Sequence, residues 1–315
     1  MSKPGFKQNE LTLRRKGSFI TYIKKEWLLY AFLFPGIVLA IIFKYIPMYG
    51  IVIAFQDFNI FQGFFGSPWV GLKHLDRFLN DPYFFRLLRN TVLLNVFHLL
   101  FVWWQPIALA LLLNELKNKR FKKTTQTISY LPFFISTVIV IGLTKQILSF
   151  NGPVNTFISS LGYKEIQFFS DPRFFRAIYL STGAWSGIGF ASIIYLAALS
   201  SISIELYEAA IIDGATRLQR AWHITIPGIL PTITILFILN LGGMIAVGFE
   251  KVFLLQNPLN LSTADVFSTY VYRQGIANAR YSYAAMVDLF NSLVGFALVV
   301  AGNQISKKIS ETSLW

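Results

Sequence analysis

Long apolar stretches alternate with short polar ones along this chain, and their lengths set the reading. A helix needs about 20 mostly apolar residues to cross a bilayer. Six stretches reach that length, at 28–54, 87–113, 125–148, 175–200, 228–250 and 282–305. They predict six membrane-spanning helices. The first holds Pro35 and Pro47, which predict kinks, and Lys44, whose amine is expected to snorkel or to face a polar cavity. Asp81-Pro82-Tyr83-Phe84-Phe85-Arg86 leads into the second stretch and Asp171-Pro172-Arg173-Phe174-Phe175-Arg176 into the fourth. In each, Asp is placed to cap a helix and Pro fits the first turn. Two independent helix starts explain the echo more simply than a repeat does.

Composition agrees with this pattern. Hydrophobic residues make up 54% of the chain and charged residues 14%, against about 25% charged in soluble domains. The fold class that follows is an all-α integral membrane protein with one six-helix domain over 28–305. The net charge of +13 would suit nucleic acid, but its placement argues otherwise. Lys3, Lys7, Arg14, Arg15, Lys16, Lys24 and Lys25 precede Trp27, and five more Lys or Arg lie between Lys117 and Lys123. With the N-terminus inside the cell, the inner segments 1–27, 114–124, 201–227 and 306–315 carry sixteen Lys or Arg, and the longer outer loops, counted with Arg176 at the start of the fourth stretch, carry nine. That is the bias of the positive-inside rule. Both termini are then cytoplasmic, 1–27 as a basic lead and 306–315 as a tail. Ser18–Trp27 is expected to lie as an interfacial helix. The first apolar stretch exceeds the 7–15 residues of a signal peptide and lacks a small-x-small cleavage site, so it reads as an uncleaved span.

Between the fourth and fifth spans lies Glu208-Ala209-Ala210-Ile211-Ile212-Asp213-Gly214, then nine residues, then Ile224-Thr225-Ile226-Pro227. The spacing predicts a short helix, a glycine break and a second short helix, with Pro227 opening the fifth span. Glu205 and Glu208 suit the positive end of the first helix, Ala209 and Ala210 keep one face slim, and Gly214 permits a turn that a side chain would resist. Read from composition alone, this is either an amphipathic loop packed on its own bundle or a rigid element that transmits force. The stretch resembles the "EAA" signature of membrane subunits of binding-protein-dependent ABC importers, departing from it only at Ile226, where that pattern has Leu. Trp185-x-Gly187, the six spans and the long loop after the fifth span resemble sugar permeases of the maltose type. The likeness is closest to the lipo-oligosaccharide and alginate-type branch.

The resemblance implies the ABC importer type I permease fold, in which this loop is a coupling helix that docks on a cytoplasmic ATPase. Glu208, Ala209, Ala210, Asp213, Gly214, Arg217, Ile224 and Pro227 become its coupling residues. It also implies a second homologous permease, favouring a heterodimer, two ATPase subunits that carry ATP and Mg, an extracellular or periplasmic solute-binding protein, and a place in the bacterial inner membrane. Carried over from the maltose-type permease, Trp185, Gly187, Phe190, Gly248 and Lys251 fall on the substrate path. Trp185 reads more simply as an interfacial anchor or a packing residue.

Polar groups within spans usually face a partner or water, which adds Asn95, His98, Gln105, Asn114, Lys145, Asn240, Asp288 and Asn291 as cavity candidates. Glu250 and Lys251 read as a local charge pair, or Lys251 as a grip on an acidic sugar. The Gln256–Arg280 loop reads either as a contact for a binding protein or as a solvated connector. The chain has no cysteine for disulfides or thiolate chemistry, no G-x-x-x-x-G-K-[ST] for phosphates, and three scattered histidines (His74, His98, His223) without metal spacing. No catalytic residue, metal site or bound cofactor is expected, and the chain does not read as an enzyme. The rival class is an ion-coupled secondary transporter or channel, which should show mid-span carboxylates and inverted repeats. Asp288 is the one acidic residue well inside a predicted span, and no inverted repeat is evident.

Overall fold

The structure, a computed structural model, describes residues 26–243 and 247–310. The basic lead and most of the expected interfacial helix lie outside the described residues. The chain divides into two compact units, 1–52 and 53–315. Helix α1 (Trp27–Phe55) is the first span. The second unit carries α2 (Lys73–Leu79), α3 (Phe84–Asn114), α4 (Lys119–Phe134), α5 (Thr137–Ile147), α6 (Pro153–Ser160), α7 (Pro172–Ser200) and α8 (Ile204–Ile212). Then follow α9 (Arg217–Leu241), α10 (Phe249–Leu255), α11 (Phe267–Tyr272) and α12 (Tyr281–Ser310). No strand occurs among the described residues; one antiparallel bridge joins Gln56 to Trp69.

Helices α1, α3, α7, α9 and α12 are long and apolar enough to cross a membrane. The third predicted span is not one rod: α4 and α5 bend by 98° at Ile135 and Ser136. Counted as one broken crossing, the pair completes the six. The break has a local cause. Pro132 withdraws a backbone donor, Ile135 and Ser136 are extended, and the Ser136 hydroxyl caps α5 by accepting the Ile139 N–H at 3.4 Å.

Three prolines of the continuous spans follow a wider turn, while Pro35 and Pro231 sit within regular α-helix. A π turn at Ile41–Tyr45 precedes Pro47, one at His98–Val102 precedes Pro106, and one at Ala221–Thr225 precedes Pro227. Proline clashes with the carbonyl four residues back, and a π turn moves that carbonyl aside. Two expectations are therefore corrected. Arg217–Arg220 is no separate second short helix but the first turn of α9, and Pro227 lies inside the span rather than at its opening. The sixth helix also runs on to Ser310, into the segment expected as a tail.

Helix α7 is the axis of the second unit and packs along the later part of α3, while α9 packs on α12. Towards the α8 end, Trp103, Ile107, Tyr195, Leu199, Ile229 and Ile233 close one core. At the other end Leu94, Phe175, Ile178, Val252 and Val266 close a second, and Phe78, Leu87, Phe267, Tyr270, Tyr283 and Val287 a third. The close approach of α7 to α4 requires Gly189, where a Cβ would strike the Ser129 carbonyl. The Gln256–Arg280 segment is not a solvated connector. It buries Ala264, Val266, Phe267 and Tyr270, and its buried Asp265 pairs with Arg273 at 2.8 Å.

Candidate functional site

Two features stand apart from the packed bundle: the α8 loop and a cavity beside α7. Ser203 caps α8 by accepting the Glu205 N–H at 3.2 Å, and Glu205 stands in the first turn, where a carboxylate complements the helix dipole. Glu208 stands a turn further on. None of the nine residues of α8 is buried, and Ile204, Ile211 and Ile212 are exposed. Gly214 then turns the chain at φ +77°, a left-handed conformation that favours glycine.

Past that turn, Thr216 opens α9 with a capping box. Its hydroxyl accepts the Gln219 N–H at 3.3 Å, and the Gln219 side chain accepts the Thr216 N–H at 2.8 Å. The two limbs are joined where Tyr207 and Thr225 share a hydroxyl hydrogen bond at 3.0 Å. A hollow of about 320 Å³ lies between them, lined in part by Ala210, Asp213, Gly214, Arg220 and Ile224. Arg217 reaches Glu115 at 4.0 Å. The loop is thus braced internally while its helix presents itself outward. Ala210, Asp213, Gly214 and Ile224 come together here; Glu208, Ala209 and Pro227 lie outside the hollow.

The cavity, of about 390 Å³, lies where the α4–α5 break and the stretch after α9 meet α7. The α4–α5 break contributes Phe133, Ile135 and Thr137, the stretch after α9 contributes Gly248, Phe249, Glu250 and Lys251, and α7 contributes Thr182, Gly183, Ser186 and Gly187. Irregular backbone at membrane depth is tolerated where it is buried in protein or lines a cavity. Three of the five substrate-path residues named from the sequence, Gly187, Gly248 and Lys251, share this wall. Phe190 stacks flat on the wall residue Phe133, with centroids 3.9 Å apart and planes 4° apart. Trp185 is half-exposed and is not part of the wall.

The Lys251 amine stands 4.1 Å from the Tyr179 ring centroid, and a Cβ on Gly183 would collide with it. Burial pushes this amine, on a helix beyond the fifth span, down to about 7. The expected charge pair with Glu250 is absent: among the described residues Lys251 has no ion-pair partner. Consecutive helical residues point about 100° apart, so neighbours in sequence need not meet.

Of the other polar candidates, Asn95 and Asn291 line a separate apolar groove between α3 and α12, where Asn95 donates to the Thr91 carbonyl at 2.7 Å. Gln105 donates to the Phe101 carbonyl beside a hollow between α3 and α7. Sequence reading missed Phe133, Tyr179 and Gly183, which the break and the α10 docking bring in, and Tyr207. The Pro132–Ser136 pair was the one local signal for the break.

Six crossings, an outward-facing loop helix and a cavity at the one broken crossing define a membrane-spanning transport subunit. The chain belongs to the family described as binding-protein-dependent transport system inner membrane component, which it matches over residues 106–310. It is 43% identical to Protein LplB of Bacillus subtilis (strain 168) over 306 residues, 97% of this chain and 96% of that protein. It is also 43% identical to the polygalacturonan/rhamnogalacturonan transport system permease protein YteP of the same organism, over 96% of this chain and 94% of that one. A chain of a bacterial ABC transporter involved in import of the acidic polysaccharide alginate superposes with TM-score 0.85 at 43% identity, covering 92% of this chain and 99% of that chain. A chain of the bacterial alginate ABC transporter in complex with an alginate pentasaccharide-bound periplasmic protein gives 0.86 at 42% identity, over 95% and 100%. The self-sufficient secondary transporter is not favoured.

Proposed function

We propose that this chain is a permease subunit of an ATP-driven importer and forms part of the path of an oligosaccharide handed over by an extracellular solute-binding protein. A second, homologous permease completes the path. Two separate ATPase subunits bind ATP and Mg and hydrolyse the nucleotide, and this chain performs no chemistry of its own. The observation that carries the reading is α8. A nine-residue helix with no fully buried residue, capped at one end and followed by a left-handed glycine at the other, is built to press on another protein.

In this reading α8 and the residues to Pro227 dock on the ATPase at the cytoplasmic face, with both termini on that same side. ATP-driven closure of the ATPases moves α8, and α9 follows as one rod because its first turn belongs to the span. Gly187, Gly248 and Lys251 then face the sugar, with Phe133, backed by Phe190, offering an aromatic surface to a ring. The Gln256–Arg280 segment supplies a folded platform for the binding protein.

Mild-detergent purification of the tagged chain from its native membrane, with mass spectrometry of stoichiometric partners, tests this reading. A second permease and a P-loop ATPase are expected, and the purified assembly should import oligosaccharide into proteoliposomes only with ATP and binding protein. Recovery of the chain alone after cross-linking would overturn it.

A further inference from the structure

The hollow between α3 and α7, about 490 Å³ in volume, shares no lining residue with the cavity at the α4–α5 break. Its two ends differ in chemistry. Arg173 and Arg176 stand at the end away from α8, and below them lie Phe97, Phe101, Leu180 and Ala184. The Arg173 guanidinium is already paired with Asp171 at 2.6 Å. Arg176 has no carboxylate within ion-pair distance among the described residues, and its Nε is buried without a hydrogen-bond partner. Its Nη2 donates to the Asn90 side-chain oxygen at a long 3.4 Å. This guanidinium is short of acceptors.

A second cation stands close by. Arg89 Nη2 donates to the Ser262 carbonyl at 3.3 Å, and the Asn90 amide donates to that same carbonyl at 3.1 Å. Arg89 likewise has no ion-pair partner among the described residues. The carboxylate on that segment, Asp265, is held by Arg273 at 2.8 Å. Two guanidinium groups linked through one asparagine repel each other and favour an anion.

The rest of the hollow does not suit a small anion. The Ser181 hydroxyl donates to the Ile178 carbonyl at 3.2 Å and the Gln105 amide to the Phe101 carbonyl, so both turn donors back onto their own helix. A free phosphate would leave the apolar walls uncovered. From Arg173 to Ala184, α7 advances about 16 Å at a rise of about 1.5 Å per residue. That is close to half of a hydrocarbon core about 30 Å thick. Phe101, Ala177 and Ser181 are exposed, so a chain can enter from the side.

We infer that this hollow seats an anionic glycerophospholipid of the leaflet away from α8. Arginine's fork matches a phosphate, so Arg176 holds the headgroup within the field of Arg89. One acyl chain runs along Phe97, Phe101 and Leu180. The lipid neutralises the arginine pair and fills the gap between α3 and α7, whatever cargo the path carries.

Native mass spectrometry of the delipidated, assembled complex tests this, with three lipids of identical acyl chains titrated in: phosphatidylglycerol, phosphatidylcholine and diacylglycerol. The readout is the affinity of each relative to diacylglycerol, which cancels losses common to all. Wild type should favour phosphatidylglycerol, with phosphatidylcholine between. Arg176→Gln should lower the phosphatidylglycerol ratio roughly 10- to 100-fold, the worth of one charge-assisted hydrogen bond. Arg176→Lys, which keeps the charge, should retain part of it. Ala177→Trp fills the hollow from an exposed position and should release the held lipid while the complex stays assembled.

A wild type that holds the three lipids equally would overturn the inference, as would Arg176→Gln with an unchanged ratio. Glycerol phosphate displacing phosphatidylglycerol at matched concentration would mean an ion site without a chain slot, and would overturn it. Full retention in Ala177→Trp would place the lipid elsewhere on the complex. A wild type that holds no lipid would mean that a neighbouring subunit covers the hollow, and would equally overturn it.

Discussion

The Asp81 carboxylate accepts a hydrogen bond at 2.7 Å from the Tyr283 hydroxyl, joining the approach to α3 to the first turn of α12 across 202 positions of sequence. The same oxygen accepts the Tyr270 hydroxyl at 2.8 Å, and the other oxygen takes the Tyr83 N–H at 2.8 Å. One carboxylate therefore closes the turn that leads into α3, rather than capping the helix as the sequence predicts, and braces α11 and α12 at the end of the bundle away from α8. Asp81→Ala would remove the acceptor shared by two hydroxyls, which stand 3.1 Å apart, so that one can still donate to the other and one is left without an acceptor. A hydrogen bond to a charged group contributes about 1.5–3 kcal/mol, so a loss of that order is expected. Tyr283→Phe, which removes one donor, should cost less. Thermal denaturation of the detergent-solubilised assembly reads both, and an unchanged midpoint in Asp81→Ala would remove the brace.

The same carboxylate gives the chain a pH signature. Burial raises the Asp81 pKa, but the Tyr83 N–H, both tyrosine hydroxyls and nearby Arg77 outweigh burial and hold it below the usual carboxylate value. A folded value below the unfolded one means that the stabilisation is fully present above the unfolded pKa of about 3.9. It is lost as pH falls through the folded value. Between about pH 5 and pH 3 the wild type should lose more thermal stability than Asp81→Asn, whose side chain does not titrate. Parallel curves for the two would show that Asp81 makes no such contribution.

Gly189 and Gly187 lie on one helix and should respond differently. A Cβ at Gly189 would meet the Ser129 carbonyl, which is backbone and cannot rotate away, whereas at Gly187 it would meet nothing within 4 Å. Gly189→Ala should cost about 1–3 kcal/mol through overpacking and lower the yield of assembled complex. Gly187→Ala should assemble normally. Gly187→Trp should also assemble but cut uptake, since the bulk enters the cavity. Assembly and uptake are measured on the same preparations, and full uptake in Gly187→Trp would place the path elsewhere.

The contrast between these sites shows what sequence could reveal. Five spans were legible because their apolar runs match a bilayer and because prolines 47, 106 and 227 are absorbed by π turns that leave the rods unbroken. The third span misled because hydropathy ignores backbone direction: the Leu131–Phe134 stretch is as apolar as its neighbours, yet Pro132 and the Ser136 cap fold it back. In the loop, Gly214 was legible because a left-handed residue announces itself as glycine. Tyr207 was not, since its partner Thr225 lies 18 residues away. The cavity was half legible. Gly187, Gly248 and Lys251 converge, but the pairing of Lys251 with Tyr179 depends on how α10 docks, which no spacing encodes.

Gly214 sits at φ +77°, and proline fixes φ near −65°, so Gly214→Pro must rebuild the turn between α8 and α9. Because no residue of α8 belongs to either core of α7, that rebuilding leaves both cores intact, and the complex should still assemble. Glu208→Lys leaves the turn alone and inverts a charge on the exposed helix. Both variants should retain ATP hydrolysis while uptake falls about tenfold or more, the worth of one coupling contact. A milder Gly214→Ala, costing about 1–2 kcal/mol for a left-handed non-glycine residue, should fall between them and the wild type. Graded loss of uptake at constant assembly would identify α8 as the element that carries the stroke. Wild-type uptake in both Gly214→Pro and Glu208→Lys would mean that the stroke enters the bundle elsewhere, leaving the Arg217–Glu115 contact as the next place to look.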